Sequence, residues 1–160
     1  MVPVAFKAEN TNLNTLGKKM IYLTKDDLIA HCQERFIDES CQGDEGILDT
    51  LEITQIGIVR TYIGTRYGVD EIFSDSSPIP NDVLKSIIAR LLLYSLIKRN
   101  AARKIPTNFA EDFEAAMKEL LAISTGKTPL SGLPTPTDSS GNPTNSSSLW
   151  GNNTNKDFYI

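Results

Sequence analysis

The sequence predicts an all-α fold: a compact four-helix bundle-like domain over residues 20–126, between an extended N-terminal arm at 1–19 and a low-complexity C-terminal arm at 127–160. Three observations predict it. Through the middle of the chain, apolar residues recur at three- and four-residue steps, the period of a buried helical face. Pro, Gly and Asn stand between those stretches, where helices stop and restart. The two ends lack the period altogether. At 160 residues, with 40% hydrophobic and 22% charged content, the chain suits one core and not two.

The arm 1–19 is rich in Asn and Thr and has no helical or alternating pattern. Thr24-Lys25-Asp26-Asp27 then reads as a capping box, and a first helix is expected over 24–37 with Leu28, Ile29, Cys32 and Phe36 inward. After a polar turn at 38–45, Ile47, Leu48, Leu51, Ile56, Val59, Tyr62, Ile63 and Tyr67 mark a long second helix ending near Gly68. Pro78-Ile79-Pro80 stops any helix, and Asn81 is offered as the N-cap of a third, 82–100. That helix is apolar around most of its circumference, which predicts the central position in the core. Pro106 precedes a fourth helix whose Phe109, Phe113, Ala116, Met117, Leu120 and Leu121 form a stripe running up to Gly126. From Lys127 onward Thr, Pro, Ser, Gly and Asn dominate, so the segment is expected to order only on an external surface. Trp150, Phe158, Tyr159 and Ile160 are its candidate anchors.

Charge and motif content exclude several functions. The net charge is −4. Lys7, Lys18 and Lys19 against Glu9 leave 1–19 at +2, and Lys127 and Lys156 against Asp138 and Asp157 leave 127–160 neutral, so 20–126 carries −6. A mildly acidic body is a poor surface for gripping phosphates. The apolar run 87–97 is interrupted by Arg90 and Ser95 and is far shorter than the roughly 20 residues of a membrane span. The first residues lack the charged and apolar regions of a secretion signal, and Cys32 and Cys41 are expected to be reduced.

His31, Cys32 and Cys41 are too few and too irregularly spaced for a structural zinc site, so no metal is expected. Adjacent on a helix, His31 and Cys32 diverge by about 100° and make no nucleophile–base pair. Asp26, Asp27, Asp49, Glu52, Glu111, Asp112 and Glu114 read as caps and solvated faces. Neither phosphate-loop nor dinucleotide-loop glycines are present, and no cofactor is expected. The sharpest charge feature is Lys98, Arg99, Arg103 and Lys104 at the end of the third helix. These cations complement the helix C-terminus, and they are also a candidate interface for an acidic neighbour or for passing DNA. Arg66, between Tyr62 and Tyr67, is expected to pack and hydrogen-bond within the body.

Four pieces in order carry a family resemblance: 21–30 with Tyr22, Thr24, Asp27, Leu28 and Ile29; 62–67 with Tyr62, Arg66 and Tyr67; Pro80 followed by Ile88-Ala89-Arg90 and Tyr94; and Gly126-Lys127 with Leu130. Together they resemble the Mu-like bacteriophage head-tail connector family, also called adaptor or head-completion proteins. The resemblance covers residues 20–130 and leaves both arms outside.

It implies a non-enzymatic virion protein at the head-tail junction, made in the cytoplasm of a bacterial host. Such a subunit forms a homo-oligomeric, twelve-fold ring, docks on the portal protein and on neighbouring tail or collar ring proteins, and continues the DNA channel with transient, non-specific contact to DNA. Lys98, Arg99, Arg103, Lys104, Trp150, Phe158, Tyr159 and Ile160 are its predicted interface residues. A second reading of the residues alone is a small helical regulatory module that binds protein or nucleic acid.

Overall fold

A computed structural model describes residues 20–44, 46–99, 105–138 and 140–144. The described residues are mainly helical and contain no strand, only an isolated bridge between Thr137 and Pro143. Six helices follow in order: α1 Lys25–Ile29, α2 Glu34–Cys41, α3 Gly46–Ile63, α4 Val69–Ile72, α5 Asp82–Arg99 and α6 Thr107–Ser124.

α5 is the centre. Leu84, Ile87, Ile88, Ala89, Leu91, Leu92, Leu93, Leu96 and Ile97 are all buried, and the helix packs on α1, α2, α3 and α6. Its apolar circumference is what allows it to be surrounded, since any polar face would need water or a partner. Asn81 starts it, its side-chain oxygen accepting from the Leu84 N–H at 3.2 Å. α6 lies alongside through Ala116, Leu120 and Ile123, with the Tyr94 and Phe113 rings stacked at 4.4 Å between centroids.

The expected helix over 24–37 is two helices. Thr24 and Asp27 do form the reciprocal capping box, but α1 ends at Ile29 and the chain turns before α2 begins. That break rotates the second piece. Ile37 and Cys41 face the core, while Phe36 and Ile29, both expected inward, are 41% and 37% exposed. α2 also takes in the first half of the expected polar turn and is capped by Gln42, whose left-handed φ of 53° precedes Gly43 at 82°. The second long helix likewise ends earlier, at Ile63, and Tyr67 is buried beyond it. α4 has no counterpart in the expected order. Arg60 ties it down, pairing with Asp70 at 2.9 Å, donating to the Phe73 carbonyl and lying over the Phe73 ring.

Just after Lys127 the chain is bonded to the body. The Leu130 N–H donates to the Tyr67 hydroxyl at 2.7 Å, and the Gly68 N–H donates to the Pro134 carbonyl at 2.8 Å. Leu130 is buried. Further along, the Asp138 carboxylate accepts from the N–H groups of Ser140 and Asn142, and the Asn142 bond holds its carboxyl below the ordinary range. Hydrogen bonds to the body thus fix a stretch whose composition offers few apolar side chains.

Candidate functional site

Lys98 and Arg99 occupy the exposed last turn of α5, where cations oppose the partial negative charge of free carbonyls. Arg103, Lys104, Trp150, Phe158, Tyr159 and Ile160 lie outside the described residues. Arg99 borders an open recess of about 510 Å³ that it shares with Asp44, Gly46, Ile47, Thr50 and Leu51 at the start of α3.

The other end of α5 borders an open cleft of about 550 Å³, lined by His31, Asp82, Val83, Ser86, Arg90, Asp112 and Glu119. Asp82, Ser86 and Arg90 follow one another at four-residue steps on α5, and Asp112 and Glu119 are seven apart on α6, so each set shares a helix face. Inside the cleft, Arg90 grips both Glu119 oxygens, at 3.2 and 2.6 Å. Ser86 Oγ lies 3.4 Å from His31 Nε2. Among the described residues no carboxylate meets the other ring nitrogen to orient the imidazole, and both groups sit on an open surface. The sequence marked none of the cleft as a site; the four-residue spacing on α5 was the available signal.

A third surface is the outer face of α3, where Thr50, Ile53, Thr54, Gly57 and Thr61 are exposed and none is charged. Thr50, Thr54 and Thr61 each donate to the carbonyl four residues earlier at 3.0 Å, so their hydroxyls are engaged within the helix.

Inside the body, one acid lies where its residue type does not suggest it. Glu52 was expected on a solvated face and is fully buried. Its Oε1 accepts from the N–H groups of Tyr22 and Leu23 at 2.9 and 2.6 Å, and its Oε2 accepts from Ile21 at 2.6 Å. The carboxylate therefore clamps the chain where it enters the body, its desolvation offset by three charge-assisted bonds. Its position four residues from both Leu48 and Ile56, on the buried face, was the signal.

Residues from the stretches that carry the family resemblance bond across the body, in part to residues outside those stretches. The Tyr22 hydroxyl donates to the Ile79 carbonyl at 3.1 Å and accepts from the Asn81 N–H at 3.0 Å, and its ring meets Phe73 edge-on. Asp27 pairs with Lys85 at 3.2 Å. Arg66 donates to the Ser124 and Thr125 carbonyls at the end of α6, where Gly126, at φ 79°, leaves room for the guanidinium. Cys32, also buried, has its thiol pushed up by desolvation, which disfavours the thiolate a nucleophile would need.

Among the described residues no cluster of three or more His, Cys, Asp or Glu could hold a metal, and no helix is long and apolar enough to cross a membrane. No family model, curated protein or solved structure matches the chain.

Proposed function

We propose that this chain is a structural subunit of the head-tail connector kind, without catalytic activity. In this reading it forms a ring, docks on the portal protein and on neighbouring tail or collar ring proteins, and continues the DNA channel at the head-tail junction of the virion. α1 with α2, α3, α5 and α6 supply the four-helix bundle-like body; 1–19 and 127–160 supply the arms. One observation carries the reading. The pieces that resemble the family meet in two pairs: Tyr22 of the first bonds to Asn81 beside Pro80 of the third, and in the second Arg66 lies against Gly126 of the fourth while Tyr67 bonds to its Leu130. Residues that share a motif because the fold requires them should behave in this way, whereas chance matches have no reason to meet.

The competing reading, a regulatory module that binds nucleic acid through the end of α5, differs in its DNA affinity. For a connector, the −6 body should bind duplex DNA only weakly and without sequence preference, with binding lost as salt approaches physiological strength. Filter binding or fluorescence anisotropy across a salt series measures this. Tight, salt-resistant binding to a defined sequence would favour the module.

A further inference from the structure

α5 carries unmatched charge of opposite sign at its two ends. In the cleft that α5 shares with α6, Glu119 is matched by Arg90, but Asp82, at the start of α5, and Asp112, next to the Phe113 that stacks on Tyr94, form no ion pair among the described residues. Beside them Val83 is 44% exposed, a large apolar side chain open to solvent within the same cleft. His31, the remaining titratable group there, faces Ser86. At the far end, Lys98 and Arg99 are exposed and also unpaired among the described residues. The carboxylate of the recess that Arg99 borders, Asp44, already accepts from the Gly46 N–H at 3.0 Å.

Asp82 and the Lys98–Arg99 pair of one chain cannot meet, because α5 is a continuous helix of 18 residues, a span of about 27 Å. We infer that the cleft between α5 and α6 is the docking site for a second copy of this chain, and that it receives the Lys98 and Arg99 end of the neighbour's α5. The two surfaces differ, so the contact is heterologous: repetition closes a ring when the rotation between copies divides a full turn, and otherwise gives a filament. The inference rests on the ring proposed above and names the surfaces that meet in it. The charges select partner and register and respond to salt, while Val83 supplies apolar area for the contact to cover.

Two full-length variants test this, Asp82→Lys/Asp112→Lys and Lys98→Glu/Arg99→Glu, with sedimentation velocity at low and high salt as the readout and circular dichroism melting as the check on folding. The wild type should self-associate at low salt and come apart as salt rises. Each variant alone should associate at least about tenfold more weakly, because like charges then face each other. An equimolar mixture should recover association, since each altered surface meets its complement on the other variant. Should the first variant fail to fold, loss of association by Lys98→Glu/Arg99→Glu alone is the expected result, and association unchanged in that variant overturns the contact. Wild-type association that neither variant disturbs, or that the mixture fails to recover, overturns the contact and leaves the ring standing. A wild type that stays single-copy at every salt and concentration overturns the contact too, and the ring is then decided in the presence of portal protein.

Discussion

Glu52 and Tyr22 show how single residues set the entry of the chain into the body. Replacing Glu52 with Ala leaves three backbone N–H groups without their acceptor. At about 1–3 kcal/mol for each buried donor left bare, the expected loss is roughly 3 kcal/mol or more, a large part of the stability of a small domain. Urea unfolding measures it, and a loss under about 1 kcal/mol would mean that water replaces the carboxylate. For Tyr22, burial, opposed by the Asn81 N–H bond and aided by the Asp82 charge, pushes the phenol from 10.0 up to about 12. The neutral form is therefore the one the fold favours. Its contribution is complete below pH 10 and is lost as pH rises toward about 12. The stability gap between wild type and Tyr22→Phe should be constant below pH 10 and should shrink above it; a gap that widens there would reverse the sign. At this scale the sequence is legible where a short motif has a local geometry, as with Thr24, Asp27 and Asn81. It misleads where residue type stands in for position: nothing about a glutamate announces burial except its apolar neighbours one turn away on each side.

Among the elements, α5 and α6 are legible because a full apolar circumference or a clean stripe leaves one way to pack each of them. The split of 24–37 is less so. Leu28, Ile29, Cys32 and Phe36 keep helical spacing across the break, and only Ile37 and Cys41, one turn apart, record the rotated face of α2. α4 is held by Arg60 from α3, a contact distant in sequence that no local period encodes. The end of α6 gives the sharpest test of an element. The Gly126 N–H bonds to the Ile123 carbonyl and the Lys127 N–H to the Ala122 carbonyl, closing the helix with Gly126 at φ 79°. A Cβ there would lie 2.5 Å from Cζ of Arg66. Gly126→Ala should therefore cost about 1–2 kcal/mol for the left-handed backbone alone, with a further loss from displacing Arg66. Arg66→Ala should remove that further part, so the double variant should cost less than the two single losses added together. Strict additivity in thermal melts would separate Arg66 from the cap.

For the whole molecule, the proposal is that a helical body tied together by Tyr22, Glu52, Arg66 and Tyr67 acts through its outer surfaces, not through a pocket of reactive groups. The body is legible in sequence because burial leaves a period. The surfaces are not, because an exposed charge obeys no period and acquires meaning only when a partner faces it. The cleft brings together Asp82 of α5 and Asp112 of α6, residues on two successive helices that only the packed structure sets side by side. The proposed role is assembly on a portal. Native mass measurement of the full-length chain, alone and mixed with a candidate portal protein whose own ring is intact, tests it most directly. The expected result is a complex carrying a complete ring of this chain, twelve-fold by the family resemblance, whatever the state of the chain alone. A chain and a portal that keep their separate masses at every ratio would contradict it.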